Sequence, residues 1–474
     1  MRKGFLMVLA VVLVAAMAAP AMADFSTSGF VRIKEHMEQN YTSGASGGSF
    51  ILPIADPHTA AYIEQRQRFF LNWKGENVGA TAIFEIDFAQ WGDSAYNSVR
   101  NQGAGLEADS INLETKNFYV WFNVPNSSVK VTAGLQNQTD SFGGMIFGFA
   151  DMAGVFVTGA GPAVSFKLGA AKWQERITIE DDDVDLYVAE VKFSPVKEAR
   201  LGVDFYAIRD ASGRQTTFAT GQTNLNTLGR IFTDYGVGAT SFTYDPSTFY
   251  FLGVDGAFKA GPVGLSGYAF YNWGELKNIN GTVGGTAIAA GSFDVKAYGA
   301  DLRADVDAGP GKFFIEAAYV SGSDRTSNDI ESPIVGNNYA LAASYPLTSM
   351  DMQILFPNAD DINASVALAY DVANKGRGIM AAAAGFRMQF NNTVSGKIGV
   401  GYLADVEAPA TGVDEHSAFE VNANVNFALI KGLDLGIYGA YAMLNDWEAY
   451  PAGVATAVDA DDIWKAYLRL NYAF

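Results

Sequence analysis

The residues best placed for chemistry are charged side chains that recur at every second position. Arg66 and Arg68 share one face of their segment with Glu64, and Arg32 and Lys34 share a face in an earlier segment. Side chains two residues apart point to the same side of a β-strand. A row of cations on one strand face must point to water or to acidic partners. This spacing therefore predicts a hydrated, charged surface.

A second group of charged residues is acidic. Residues 180–185 read Glu-Asp-Asp-Asp-Val-Asp, and the carboxylates of Asp181, Asp182, Asp183 and Asp185 are hard oxygen ligands of the kind that bind Ca²⁺. The run lacks the glycine-bearing spacing of an EF-hand loop. A solvated external loop, or one that bridges divalent ions at a lipopolysaccharide surface, explains the same residues. We treat the run as a candidate Ca²⁺ site and expect no other metal site.

The histidines do not form a catalytic motif. They are His36, His58 and His416, and neither an H-E-x-x-H helix nor a nucleophile elbow between a strand and a helix accompanies them. A hydrolase that assembles serine and histidine on adjacent strands is the remaining catalytic alternative. The balance of 32 Lys and Arg against 51 Asp and Glu argues against nucleic-acid binding. We expect neither an enzyme nor a cofactor.

The last segment of the chain indicates which element positions the charges. Between Trp464 and Phe474 apolar residues occupy alternate positions, and the intervening positions include Lys465, Arg469 and Asn471. This is the period of a β-strand with one apolar and one hydrophilic face. Aromatic residues at both ends of the apolar face are typical of a strand that faces membrane lipid. The hydrophilic face would then line a wet interior.

The same alternation recurs, with short turns rich in glycine, proline or asparagine between paired segments. Longer polar stretches separate the hairpins, and short turns on one side with long loops on the other are typical of outer-membrane barrels. The predicted strands are Phe25 to Gln39, Tyr62 to Trp73, Val78 to Phe88, Phe118 to Val124, Val129 to Leu135, Val184 to Phe193, Ala199 to Ile208, Phe249 to Lys259, Val263 to Trp273, Phe293 to Asp307, Lys312 to Gly322, Ile379 to Asn391, Val394 to Asp405, Phe419 to Phe427, Leu433 to Met443 and Trp464 to Phe474.

The expected fold is all-β: a transmembrane antiparallel β-barrel of about eighteen strands, within a range of 16 to 20. Its N-terminal strand should pair with its C-terminal strand, and a barrel of this size leaves an aqueous channel. The region from Asn338 to Asp371 is the hardest to assign to strands. Cysteine is absent, so stability must come from elsewhere than disulfides, and barrel closure supplies it by leaving no free strand edge.

The first 23 residues have the features of a secretory signal peptide. Arg2 and Lys3 precede an apolar stretch from Phe5 to Ala16, and Ala21-Met22-Ala23 is a small-residue cleavage site. An anchoring helix is the alternative. Beyond this segment no run of 18 apolar residues occurs, which excludes a helical membrane protein. We expect residues 24–474 to form a single barrel domain.

The terminal strand carries a family resemblance. Residues 466–474, Ala-Tyr-Leu-Arg-Leu-Asn-Tyr-Ala-Phe, resemble the C-terminal signature of Gram-negative outer-membrane β-barrel proteins. In that family the barrel-assembly machinery reads this strand, a role that the resemblance assigns here to Leu470, Tyr472 and Phe474. It also implies a homotrimeric porin in contact with outer-membrane lipid and lipopolysaccharide. Small outward residues, such as those between Met380 and Ala384, would allow close packing of subunits.

An internal stretch from Ala133 to Asp151 is similar to the fifth strand and third loop of general porins. In those proteins the third loop narrows the pore, and its acidic side chains face a ladder of arginines. The loop here has only Asp140 and Asp151 as acids and is otherwise glycine-rich and apolar. The alternative is that the cations are ordinary residues of the lumen wall. The constriction that the resemblance implies consists of Arg32, Lys34, Glu64, Arg66, Arg68, Gln136, Asp140 and Asp151.

Together these patterns predict a porin that forms a water-filled channel in the outer membrane for passive diffusion of small hydrophilic solutes and ions. A substrate-specific channel for sugars or organic acids is one alternative, and aromatic residues along the lumen, such as Tyr467, would favour it. A non-conducting structural or adhesive barrel is another. The predicted inward positions carry both signs of charge, so the ion selectivity stays open.

Overall fold

In the computed structural model, eighteen antiparallel strands close into one barrel. The structure describes residues 24–43, 49–53, 59–88, 90–92, 113–175, 180–214, 239–283, 286–324, 329–339, 347–358, 366–408, 414–449 and 458–474. The barrel strands are β1 (Asp24–Gln39), β2 (Thr59–Lys74), β3 (Val78–Phe88), β4 (Glu114–Asn123), β5 (Val129–Gln138), β6 (Ala150–Ala160), β7 (Val164–Gln174), β8 (Val184–Val196), β9 (Ala199–Asp210), β10 (Ala239–Ala260), β11 (Val263–Val283), β12 (Thr286–Ala308), β13 (Gly311–Val320), β14 (Ile379–Gln389), β15 (Val394–Ala404), β16 (Ser417–Ile430), β17 (Leu433–Asn445) and β18 (Ile463–Ala473).

The first and last strands close the barrel. β1 pairs with β18 on one edge and with β2 on the other, and each later strand pairs with its neighbours in sequence. No edge of these eighteen strands is left without a neighbour, which removes the usual route to edge-to-edge aggregation. The predicted fold class, strand number and pairing of the two terminal strands are confirmed.

Short turns join the strands at one end of the barrel. In these turns one residue adopts a left-handed backbone conformation, which lets the chain reverse within a few residues. The φ values lie between 57° and 83° at Asn126, Gly261, Gly309 and Gly432. At the other end the connections are longer. Two small sheets that are separate from the barrel sheet lie among these connections. One is formed by Tyr41–Ser43, Ser49–Pro53 and Val366–Ala367, and the other by Glu448–Ala449 and Val458–Asp459.

The barrel is apolar on its outside. Along β18, Leu468, Leu470 and Tyr472 are about 40% exposed, whereas Lys465 and Tyr467 on the opposite face are buried. A soluble barrel would show the reverse arrangement, because its apolar residues would fill the interior. The outward side chains of β18 therefore face lipid, as the alternation predicts.

Described residues of two segments between strands fold into the barrel interior. The short insert, residues 139–149, joins β5 to β6, and the long insert, residues 321–378, joins β13 to β14. Their apolar side chains are fully buried, Phe142 and Phe147 in the first and Ile354 and Phe356 in the second. The region that alternation could not assign, Asn338 to Asp371, lies in the long insert, and its described residues form no strand of the barrel wall.

Helical structure within the described ranges is limited to 3-10 turns. None of them is long and apolar enough to span a membrane. They are Ser212–Arg214, Gly336–Tyr339, Thr348–Met350 and Asn374–Gly376.

The hairpin of β6 and β7 is the main element that the periodicity did not predict. Its inward face carries Met152, Phe156 and Trp173, all buried against the inserts. Because the apolar residues occupy both faces there, the alternation that marks the other strands is lost. β10, β11 and β12 are also longer than predicted, since hairpin pairing continues through the polar stretch Asn278 to Gly291.

Candidate pore lining

Five of the predicted constriction residues lie on the inward face of β1 and β2. Arg32 stands opposite Arg66, Lys34 opposite Glu64, and Arg68 follows one pleat further along. The strand register therefore brings the cations of the two segments side by side, as their period-two spacing requires.

The arginines of β2 pair with acids of the neighbouring strand β3. Arg66 donates to both oxygens of Asp87 at 2.8 and 2.6 Å and lies 3.2 Å from Glu85. Arg68 donates to Glu85, whose other oxygen is 3.5 Å from Lys116. Glu85 and Asp87 are not among the predicted constriction residues, although their spacing of two within a predicted strand places them on one face.

A buried polar cluster lies further along β1. His36 Nε2 is 2.8 Å from Glu64 Oε1, and the imidazole stacks on Tyr62 at 4.6 Å between ring centroids. Lys34 Nζ is 3.7 Å from the same carboxylate oxygen and 4.3 Å from the ring centroid of Tyr467. The Glu64 carboxylate thus hydrogen-bonds to His36, lies near the Lys34 ammonium, and is fully buried.

Asp140 organises the short insert. Its carboxylate accepts backbone N–H bonds from Phe142, Gly144, Ile146 and Phe147 at 2.7 to 3.1 Å. Burial raises the pKa of this carboxyl to about 6, and the four N–H donors oppose that effect. Asp140 therefore binds the backbone of its own loop. The arginines of β2 instead form ion pairs with the acids of β3.

The short insert crosses toward the wall formed by β9 and β11. Phe142 lies 5.5 to 5.9 Å, between ring centroids, from Tyr206, Tyr268 and Phe270. The Tyr206 hydroxyl accepts the N–H of Ser141 at 2.9 Å. The apolar composition of this loop, which departs from an acidic porin loop, is thus explained by packing inside the barrel.

Gln136 and Asp151 lie on β5 and β6, and not on the strands that carry the predicted cations. Gln136 donates to the carbonyls of Gly134 and Gly154 at 3.3 and 3.2 Å. Asp151 begins the β6 region, where Lys116 Nζ is 3.1 Å away and two asparagine amides donate to it. Lys116 thus links Asp151 to Glu85 and through it to the arginines of β2, whereas Asp140 is bound within the short insert.

Glu420 on β16 holds the long insert. Its carboxylate accepts N–H bonds from Gln353, Ile354 and Leu355 at 2.7, 2.9 and 3.0 Å. Asn422 on the same face donates to Glu420 at 2.8 Å. The alternation in the predicted strand from Phe419 to Phe427 places its hydrophilic face in a wet interior. Glu420 and Asn422 do face the lumen, but the insert covers them and supplies their hydrogen-bond partners.

An open cavity remains at the end of the barrel that has the short turns. It has a volume of about 700 Å³. Asp351 of the long insert lies in it, 3.1 Å from Arg387 and 3.2 Å from Lys397. Arg469 contacts the ring of Tyr438, which stacks on Tyr467 at 4.3 Å. Three cations, Arg387, Lys397 and Arg469, and the ring of Tyr438 thus line this cavity.

Similar proteins are found by structure and not by sequence. No protein-family model and no curated protein matches the sequence. Among solved structures, OpdL of Pseudomonas aeruginosa matches with a TM-score of 0.52 and 11% identity, over 95% of this chain and 99% of that one. The chain has the fold of an outer-membrane porin. OpdQ of the same organism matches this porin fold with a TM-score of 0.51 and 10% identity, over 95% and 98% of the two chains.

The C-terminal end is tied to the first strand of the porin fold. Phe474 exchanges two backbone hydrogen bonds of 3.0 Å with Gly29, and its ring lies 6.3 Å from that of Phe69. Leu470 and Tyr472 point outward on β18. Their recognition by an assembly machinery stays a prediction.

The acidic run leads into β8, on which Asp185 lies, and is paired with cations. Asp181 accepts from Arg209 at 2.7 Å, and Lys172 Nζ lies 2.6 Å from both Asp183 and Asp185. Asp182 is buried beside them. Within the described ranges no group of His, Cys, Asp or Glu side chains has a metal-binding arrangement. His58 lies outside the described residues.

Proposed function

We propose that this protein is an outer-membrane porin, a water-filled channel for passive diffusion of small hydrophilic solutes and ions. The proposal rests on the distribution of side chains in the barrel. Apolar residues such as Leu468 are exposed outside, and charged residues such as Arg66 and Lys397 lie inside. An apolar exterior suits a bilayer, and a charged lining keeps a path hydrated. This function needs neither a catalytic step nor a cofactor.

A substrate-specific channel for sugars or organic acids is the second candidate. The open cavity supports it, because Arg387, Lys397 and Arg469 supply charge-assisted donors and Tyr438 supplies a ring for stacking. The two inserts leave less free space than an unobstructed barrel of eighteen strands would have. A non-conducting structural or adhesive barrel is the third candidate and is distinguished by the experiment below.

The expected location is the outer membrane of a Gram-negative bacterium. Export would depend on residues 1–23 as a cleaved signal peptide, and assembly on recognition of Leu470, Tyr472 and Phe474. The short turns would then face the periplasm. We further propose contact with lipid and lipopolysaccharide, association as a homotrimer, and no nucleic-acid partner.

Single-channel recording tests the function. The purified barrel is reconstituted in planar bilayers and its reversal potential is measured in asymmetric KCl, with a boiled sample as control. We expect discrete conductance steps. Reversible closure by a sugar or an organic acid at millimolar concentration would identify the selective channel, and a folded barrel that gives no steps would overturn the proposal in favour of the non-conducting barrel.

A further inference from the structure

The two ends of the barrel differ in charge. Between the strand bounds given above, the connections at the end with the long connections, both inserts included, contain 27 Asp and Glu residues against seven Lys and Arg residues. The short turns at the other end contain two residues of each sign. The formal charge of the whole chain is −19. The excess of acid therefore lies in the connections of one end, which we call the long-connection end.

Five carboxylates of the long-connection end form what we call the acidic mouth: Asp324, Glu331, Glu407, Asp414 and Glu415. The first two belong to the long insert, and the other three to the connection between β15 and β16. Burial raises the pKa of the Glu407 carboxyl above its usual value, and the charges of Asp324, Glu331 and Glu415 add to this rise. The carboxylates of the two connections are thus close enough to repel one another, and together they give this end a negative potential.

The open cavity at the other end has no such excess of acid. Four cations and two carboxylates line it: Lys312, Arg387, Lys397, Arg469, Asp307 and Asp351. Asp434 lies beside it, 3.2 Å from Arg469. With Asp434 counted, the cavity still has one more cation than it has carboxylates. A negative ion can therefore enter the lumen through this end more readily than through the acidic mouth.

Charges of the wall between the two ends are paired with each other. Arg66 lies 2.6 Å from Asp87, and Lys192 lies 2.6 Å from Asp204. The fields of two opposite charges in contact largely cancel at the distance of the pore axis. The difference in potential along the pore is therefore set by its two ends.

We propose that this channel rectifies ion flow, so that its conductance is higher when cations are driven from the acidic mouth toward the short turns than when they are driven the opposite way. The acidic mouth concentrates cations and repels anions. Under the first polarity these cations meet anions that enter through the open cavity, and both kinds of ion accumulate in the lumen. Under the reverse polarity the acidic mouth admits few anions, and the lumen is depleted of ions. The inference rests on the proposed channel function.

Single-channel current–voltage curves in symmetrical KCl test the inference. Because the chain has no native cysteine, Asp459→Cys at the long-connection end reports the orientation of each channel: a charged, membrane-impermeant thiol reagent alters the current only from the chamber that this end faces. We expect the conductance with the acidic mouth at positive potential to exceed that of the opposite polarity by at least about 1.5-fold at 0.1 M KCl. The two should be equal at 1 M, because the Debye length falls from about 10 Å to about 3 Å.

The outcomes separate this inference from the channel function. Conductance steps with a linear curve at 0.1 M, or with the opposite direction of rectification, would overturn the inference and leave the channel intact. An absence of steps from the folded barrel would overturn the channel function, and the inference with it.

Two double variants with the same change of charge test whether position matters. Asp414→Lys/Glu415→Lys alters the acidic mouth, and Glu76→Lys/Glu198→Lys alters two short turns; all four side chains are exposed, so both barrels should fold. We expect the first variant to bring the conductance ratio close to one and the second to keep or raise it. An equal fall in both variants would show that the ratio follows total charge, which contradicts the inference.

Reversal potentials of the unaltered channel give a second measurement. In a tenfold KCl gradient the end in the dilute chamber dominates the selectivity, because its charges are the least screened. We expect stronger cation selectivity when the acidic mouth faces the dilute chamber than when the short turns face it. Equal selectivity for the two directions of the gradient would contradict the inference.

Discussion

Gly336 donates its backbone N–H to the carbonyl oxygen of Ile146 over 2.9 Å, and this bond joins the long insert to the short insert inside the barrel. Each insert is also fastened to the wall, the short one at Tyr206 and the long one at Glu420. The free lumen is therefore set by two segments that support each other, and loosening either one should widen the passage.

Replacing Glu420 with alanine should release the middle of the long insert. Three backbone N–H groups would lose a charged acceptor, at a cost of about 1–3 kcal/mol each when left unpaired. We expect a conductance increase of about twofold or more, with noisier current. Asn424→Ala on the same strand face is the control and should leave the noise unchanged. Equal conductance and noise in Glu420→Ala and wild type would contradict the role of Glu420.

Removing Arg66 should make the channel more cation-selective. Its guanidinium neutralises Asp87 and lies beside Glu85, so Arg66→Ala exposes uncompensated carboxylates on the lumen wall. The reversal potential in a tenfold KCl gradient should move toward the potassium potential by about 10 mV or more. Asp140→Ala should move it less, because Asp140 is enclosed by its own loop. The reverse order of effects would favour the field between Arg66 and Asp140 that the family resemblance implies.

The short insert should be more firmly packed at acidic pH. Burial raises the pKa of Asp140 from 3.8 to about 6 when the loop lies inside, so protonation favours the inserted loop, and this advantage is lost as pH rises through about 6. Between pH 5 and pH 8 the opening equilibrium should change by about tenfold. Labelling of Ser141→Cys should be slower at pH 5 than at pH 8, after correction for thiolate fraction with a free thiol. In Asp140→Asn the corrected rate should not depend on pH; a persistent pH dependence would point to another group.

The packing of the external end of the long insert should depend on Asp405. This buried carboxylate lies 3.0 Å from Arg377, 3.2 Å from His416 and 2.6 Å from the Asn374 amide. Asp405→Ala would leave Arg377 buried without its anion, a loss of about 3–5 kcal/mol for such pairs. We expect limited proteolysis to cut the insert sooner in this variant. Asp459→Ala, in the small outer sheet, is the comparison, and equal cleavage in the two would contradict the prediction.

The wall of the barrel was predictable from the sequence because each wall residue faces one of two solvents. Leu468 is apolar because it points out of the barrel, and Lys465 is charged because it points into the barrel. Polarity therefore alternates with a period of two along the strand. The inserts carry no such signal. Ile354 and Phe356 are apolar because they pack inside the barrel, and only the tertiary structure shows where that interior is.

The candidate site was predictable only in part. Spacing placed Arg66 and Arg68 on one face, but it could not reveal which acids neutralise them, since Glu85 becomes a neighbour only through strand register. For Asp140 the sequence suggested a role that the structure does not support. Its position in a glycine-rich loop resembled a pore-facing acid, whereas its carboxylate binds the N–H groups of that same loop.

The pairing of β1 with β18 makes the fold dependent on both ends of the chain at once. A product that stops before Ile463 would lack β18, so β1 and β17 would each have an unpaired edge and the barrel would not close. Such a product has no smaller barrel available without re-registering its strands. Premature termination should therefore give an aggregation-prone, protease-sensitive polypeptide rather than a narrower pore.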